Sequence, residues 1–422
     1  MLDSFKDKLA FFNQNDRSSQ LQNHFTSKSS STTKGTKNPN GYKTCIYFTN
    51  WSVYQRKHFA TDIPIDHITH IFYAFITIDP DSGSVKFTDE WCDIQLPLPS
   101  PKDPTKEVTG SIQQLFELKQ INRRLKVVMS IGGYGTEHLF QAVTSDANKL
   151  NNFVNSAIGF VKEYGFDGID IDWEYPKNSQ ECAYLVQILS KLRSQLDTIS
   201  PDLVLTIASP AGEENVAALN LREIDKYLSF WNVMCYDFCG ESWSTRTGYH
   251  SNLFGSNGDN NLSASNVIEK YISSGVHSDK LVLGMPMYGR VFHGAQSQAI
   301  GEHFSKERLG TAVESDTIDY KKLPIGEEHF DSKAGSAMCY DSSSKQLIVY
   351  DDANSARMKA IFTHSSKLGG GMWWDSCGDN YDDKKRSLLQ SYVNQLGGVD
   401  VLDKTPNHLD IYKESTFLKE LQ

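Results

Sequence analysis

From Ile169 to Glu174, within Phe166-Asp167-Gly168-Ile169-Asp170-Ile171-Asp172-Trp173-Glu174-Tyr175-Pro176, apolar and acidic residues alternate without a break. A period of two marks a strand, whose successive side chains point to opposite faces. Asp170, Asp172 and Glu174 therefore share one face, and Ile169, Ile171 and Trp173 share the other. Such a strand ordinarily keeps its acids in water. The flanking sequence excludes that arrangement. Phe153, Ala157, Phe160, Val161 and Tyr164 recur at helical spacing before the segment and stop at Gly165. Leu185, Ile188, Leu189, Leu192 and Leu196 repeat the pattern after it. A strand set between helices belongs to a parallel sheet covered on both faces. The apolar face then meets the helices, and the acid face points into a closed interior.

Seven further apolar runs space themselves between helical patterns: Thr44–Phe48, Ile68–Phe75, Lys126–Ser130, Leu203–Ser209, Trp231–Tyr236, Leu281–Met285 and Gly370–Trp374. With Gly168–Asp172 they make eight strands, which predicts an α/β fold, a (β/α)8 TIM barrel rather than an open sheet. The 422 residues suit one such barrel with insertions. The stretch between the seventh and eighth strands is too long for one helix and contains short alternating runs such as Gln346–Tyr350. It predicts a small α+β insertion over residues 291–351, leaving 42–290 and 352–422 for the barrel. Residues 1–41 read as a flexible extension, rich in Ser, Thr, Lys, Asn and Gly from Thr26 to Gly41.

Net charge is −10, which argues against nucleic acid as a partner, since phosphate binding needs clustered Lys and Arg. No stretch approaches the roughly 18 apolar residues of a membrane span. The N-terminus lacks the roughly 7–15-residue apolar core of a secretory signal. The expectation is a cytoplasmic or unconventionally exported protein, with an extracellular or cell-wall location as the alternative, acting as a monomer. Asn261-Leu262-Ser263 matches a glycosylation acceptor, a triplet common by chance. The seven cysteines are scattered and odd in number, with no metal-ligand spacing, so free thiols, no metal and no cofactor are expected.

Three carboxylates stacked inside a barrel cannot all ionise cheaply, because like charges and burial both raise carboxyl pKa values. Along the strand Asp170 lies deepest, Asp172 next, and Glu174 emerges at the C-terminal mouth, where barrel active sites sit. A Glu kept protonated there is placed to act as a general acid.

Asp167-x-x-Asp170-x-Asp172-x-Glu174 resembles the DxxDxDxE signature of glycoside hydrolase family 18, the chitinases. The resemblance spans roughly residues 42 to 415. It continues at Tyr47, Tyr73-Ala74-Phe75, Ser130-Ile131-Gly132-Gly133, Met234-Cys235-Tyr236-Asp237, Tyr288-Gly289-Arg290 and Gly369-Gly370-Gly371-Met372-Trp373-Trp374. Ser209-Pro210-Ala211-Gly212 and Leu402-Asp403-Lys404-Thr405 look like fungal, class V members. The resemblance implies that Glu174 protonates the glycosidic oxygen of chitin or a chitooligosaccharide. The acetamide oxygen of the −1 sugar then attacks its own anomeric carbon, and configuration is retained through an oxazolinium ion. It further implies that Asp172 orients the acetamide, that Asp170 shares a proton with Asp172 with help from Ser130, and that Tyr236 donates to the acetamide oxygen. Asp237 and Arg290 would bind sugar and Trp374 would floor the −1 site. Tyr47, Phe75, Ser130, Gly133 and Met234 complete the substrate-binding set, together with Trp51 and Tyr134, two aromatics weighed as sugar platforms. Tyr134 stands where many members carry Trp, which should weaken one subsite. Trp243 is a further cleft candidate, whereas Trp173 faces the helices by parity. The resemblance also singles out Ala74–Phe75, Glu174–Tyr175 and Trp374–Asp375 as candidate cis peptide bonds. A non-catalytic chitin lectin usually lacks the terminal Glu of the signature. An endo-β-N-acetylglucosaminidase generally lacks the insertion. Both fit less well than an endo-acting chitinase.

Overall fold

The apolar runs line up as parallel strands of one sheet, and the sheet closes on itself. A computed structural model describes residues 41–255, 262–308, 310, 313–412 and 415–419. The barrel strands are β1 (Lys43–Thr49), β2 (His70–Ile78), β3 (Lys126–Gly132), β4 (Gly168–Asp172), β5 (Val204–Ser209), β6 (Trp231–Val233), β7 (Leu281–Pro286) and β8 (Gly370–Trp374). They pair in the order β1-β8-β7-β6-β5-β4-β3-β2, and β1 also pairs with β2, which completes the ring. This is a TIM barrel. Every residue of β3, β4, β5 and β7 is buried, as parallel strands covered on both faces must be.

The helices that flank β4 show how local sequence sets this arrangement. The helix Ala147–Tyr164 begins where the Asp146 side chain accepts from the backbone N–H groups of Asn148 and Lys149. It ends at Gly165, which adopts φ +69°. The helix Ser179–Asp197 begins the same way, with Asn178 accepting from Gln180 and Glu181. Such caps stabilise a helix by about 1 kcal/mol each. Between them, Ile169 and Ile171 are fully buried, and Trp173 stacks on Phe140 of the outer helices at 5.2 Å and 7°. The acid face of β4 is left for the interior.

The N-terminal end of the barrel is closed by buried ion pairs. Lys119 Nζ lies 2.7 Å from Asp167 Oδ2, and Asp167 also accepts from the backbone N–H groups of Val127 and His408, each at 2.7 Å. Lys126 Nζ sits 3.7 Å from Asp403 and donates to Thr405 O.

Several boundaries differ from those expected. β2 runs to Ile78 because Ile76–Ile78 pair antiparallel with Val85–Phe87. β6 stops at Val233: the Cys235 N–H turns back to Val233 O, and Asp237 adopts φ +59°, so the chain leaves the sheet. The excursion between β7 and β8 is a five-stranded antiparallel sheet in the order Thr317–Asp319, Tyr288–His293, Gln346–Tyr350, Ser336–Asp341, Glu327–Asp331. Its first strand starts at Tyr288, ahead of residue 291, because the chain passes from Pro286 through Met287 straight into it. Residues 1–40 of the 1–41 extension, and Asn261 of the glycosylation triplet, lie outside the described residues. Among the described residues no helix is long and apolar enough to cross a membrane.

Candidate active site

Asp170 is the lowest acid on β4, and hydroxyls from three other strands donate to it. Tyr47 on β1 reaches Oδ2 at 2.9 Å, Ser130 on β3 reaches Oδ2 at 2.8 Å, and Thr206 on β5 reaches Oδ1 at 2.7 Å. Ser130 and Thr206 are its direct neighbours in the strand register. Burial raises the pKa of Asp170, and these hydrogen bonds offset only part of that rise. Ser130, placed by the resemblance among sugar-contacting residues, has no exposed surface and lies beneath the cleft, its hydroxyl engaged by Asp170.

Asp172, one pleat higher, is buried, and its Oδ1 has no hydrogen-bond partner. Burial, then the charges of Glu174 and Asp170, push its pKa well above the usual carboxylate range. Glu174 is half-buried at the mouth. Burial, and then the Asp237 and Glu137 charges, push it up to about 7, with a hydrogen bond from Tyr175 opposing the shift. The top of the strand is held by its neighbour: the Gly133 N–H donates to Asp172 O at 2.9 Å. Gly132 makes this approach possible, since it adopts φ +120° and a Cβ there would meet Asp172 O at 2.2 Å.

Above the acids opens a cleft of about 1720 Å³. That exceeds the roughly 300–1,000 Å³ of a pocket for one small molecule and suits an extended ligand. Its floor is aromatic. Trp374 stacks on Phe75 at 5.7 Å and 22°, Tyr47 lies 5.5 Å from Trp374, and Trp51 lies 6.1 Å from Phe75 and 6.4 Å from Trp374. Trp51 remains 45% exposed. Ala74–Phe75, Glu174–Tyr175 and Trp374–Asp375 are all cis peptide bonds.

On another wall, Arg290 grips Asp237 with two N–H groups, each at 2.8 Å, and Tyr288 Oη donates to the same carboxylate at 2.7 Å. Burial alone would raise Asp237, but His250 and Arg290 hold its carboxyl far below the usual range. Arg290 also bonds Asp316 at 3.2 Å and lies 4.8 Å over the Trp243 ring, which places Trp243 in the cleft. Tyr236 lines the cleft too. Burial, then the Asp172 and Glu174 charges, keep its phenol protonated and able to donate. Gly133, Tyr134 and Met234 complete the lining from the predicted set, with Tyr134 standing 91% exposed.

Sequence reasoning missed Arg56, Asp316, Asp319 and Asp375, all of which line the cleft. Asp375 was within reach, since it directly follows Trp374. Arg56 carried no signal: its partners Asp375 and Asp319 lie 319 and 263 residues away in the chain.

A buried acid ladder under an aromatic-floored cleft at the mouth of a TIM barrel is the geometry expected from the signature. The family model for glycosyl hydrolases family 18 matches residues 43–379. The chain belongs to family 18. It is therefore a glycoside hydrolase, and its relatives agree over most of its length. Endochitinase 1 of Metarhizium robertsii is 35% identical over 387 residues, covering 89% of this chain and 90% of the relative. Sporulation-specific chitinase 2 of Saccharomyces cerevisiae is 35% identical over 399 residues, covering 83% and 77%. Among solved structures, the catalytic domain of psychrophilic chitinase B from Arthrobacter TAD20 aligns with a TM-score of 0.77 at 26% identity, over 87% of this family 18 chain and 97% of that one.

Proposed function

We propose that this family 18 hydrolase is an endo-acting chitinase that cleaves β-1,4-linked N-acetylglucosamine chains with retention of configuration, using the substrate's acetamide as nucleophile. One observation carries the reading: beneath Glu174, whose pKa burial raises, Asp172 presents a buried oxygen without a partner to the cleft.

A sugar seated on Trp374 brings its glycosidic oxygen to Glu174 and its acetamide to Asp172. Glu174 gives its proton to that oxygen as the C1–O bond breaks, and the leaving chain departs as an alcohol. The acetamide oxygen closes on C1 to form the oxazolinium ion. Asp172 Oδ1 accepts the acetamide N–H and orients the group, while the Tyr236 phenol donates to the acetamide oxygen. Asp172 is a poor nucleophile here, because it lies buried and holds protons tightly, so the ordinary two-carboxylate scheme fits less well. Water then attacks C1, Glu174 takes its proton, and the ring opens to the β-anomer. Asp237, Arg290, Trp51 and Phe75 line the path on which neighbouring sugars rest.

The relatives named as chitinases support the substrate class. Incubation with chitotetraose to chitohexaose tests the proposal. Internal cleavage with β-anomer appearing first in proton NMR is the expected result. First appearance of the α-anomer, or intact oligomers, would overturn it.

A further inference from the structure

Arg56 is a cleft cation to which the chemistry above gives no task. It lies in the loop after β1, five residues beyond Trp51, with a quarter of its side chain exposed. One guanidinium nitrogen donates to Asp375 Oδ2 at 2.6 Å and another to Asp319 Oδ1 at 2.9 Å. Asp375 follows the floor residue Trp374, and Asp319 ends the edge strand Thr317–Asp319 of the insertion sheet. Each side is fastened without Arg56. The loops after β1 and β8 are joined by His58 Nε2 to Ser376 Oγ at 2.9 Å and by the Ser376 N–H to Tyr47 O at 2.9 Å. The edge strand pairs with Tyr288–Arg290 and is tied through Tyr320 N to Met287 O. The two sides also meet directly where the Lys321 N–H donates to Gly378 O at 2.8 Å, and Arg56 adds the ion-pair link that faces the cleft. The insertion side lines the cleft from Val313 to Asp319.

Resting on the chitinase reading, we infer that Arg56 is a specificity-determining residue: it holds the insertion's edge strand over the Trp51–Trp374 floor and offers its remaining N–H groups to an N-acetylglucosamine unit bound beyond the scissile bond. The geometry suits the role. A guanidinium has five N–H donors, of which two face carboxylates here, and two acids on different elements fix its plane. On this inference a chain long enough to reach the edge strand gains the Arg56 contact, and a short one gains less.

The test compares chitotriose with chitohexaose in wild type, Arg56→Ala, Arg56→Lys, Asp319→Asn and the Arg56→Ala/Asp319→Asn double variant. For Arg56→Ala the hexaose KM rises about tenfold, kcat stays within about threefold, and the positions of hexaose cleavage shift, while the triose KM changes less than about twofold. Arg56→Lys, which keeps the charge but not the two-handed bridge, recovers only part of the loss. Asp319→Asn reproduces the length dependence, and the double variant is no worse than Arg56→Ala, because both changes break one link. Equal losses for both oligomers, or unchanged hexaose cleavage in Arg56→Ala, overturn the inference, and so does a silent Asp319→Asn. If the wild type cleaves neither oligomer, the chitinase reading itself fails and the length dependence falls with it.

Discussion

Asp167 and Asp170 sit three residues apart in one segment, both without exposed surface, and their proton affinities move in opposite directions. Burial would raise Asp167, but Lys119 and then His408 hold it below the usual carboxylate range. Asp170 meets only neutral donors, and Asp172 and Glu174 above it meet no cation at hydrogen-bond distance among the described residues, so all three are raised. The N-terminal end of the barrel thus uses buried acids as ion-pair partners, and the mouth uses them as proton holders. Burial is common to both regions, and the presence of a buried cation decides between the two outcomes.

Two substitutions and the pH dependence of rate and stability test this contrast. Glu174→Gln removes the only proton that reaches the glycosidic oxygen in the proposed scheme. It should lower kcat by about 10²–10⁴-fold while calorimetry still detects oligosaccharide binding; turnover near wild type would detach the ladder from the chemistry. Asp167→Asn strands Lys119 without its counter-charge. It should cost about 3–5 kcal/mol in denaturant unfolding yet leave kcat per folded molecule within about twofold. A selective fall in kcat with unchanged stability would erase the distinction between the two regions. Third, kcat/KM of the wild type should fall about tenfold per pH unit above about 7, as Glu174 loses its proton. The smallest effect is on stability. The Glu174 pKa is raised on folding, so its contribution is complete below the unfolded value of about 4.5 and is lost as pH rises through about 7. Glu174→Gln should therefore melt about 2–4 °C above wild type at pH 8 and show little difference at pH 4.5. For Asp167, whose pKa is lowered, the sign reverses: its stabilisation is present above the unfolded value of about 3.9 and fades in acid, so the cost of Asp167→Asn should shrink there.

Much of this was legible beforehand because it depends on short-range pattern. Parity alone put Asp170, Asp172 and Glu174 on one face and Trp173 on the other, and buried parallel strands stand out as apolar runs. The ends of β2 and β6 were harder. The extension of β2 depends on a hairpin partner at Val85–Phe87, and the early end of β6 depends on a turn at Cys235 that its apolar sequence conceals. The start of the insertion was hidden because β7 runs almost directly into Tyr288–His293. Ser130 was expected both to help Asp170 and to belong to the substrate-binding set, and its register sets it beside Asp170, one layer down. Arg56 was invisible for a different reason: its meaning lies wholly in two carboxylates that the chain brings back only after the barrel and the insertion are in place.

The three hydroxyls around Asp170 come from β1, β3 and β5, and β1 is also the strand on which the ring shuts, against β2 and β8. The pedestal beneath Glu174 is consequently assembled from several βα units rather than from any single one. A chain still emerging from the ribosome, with β8 unmade, would carry every acid of the signature and yet lack Trp374, so that the floor of the cleft arrives with the last strand.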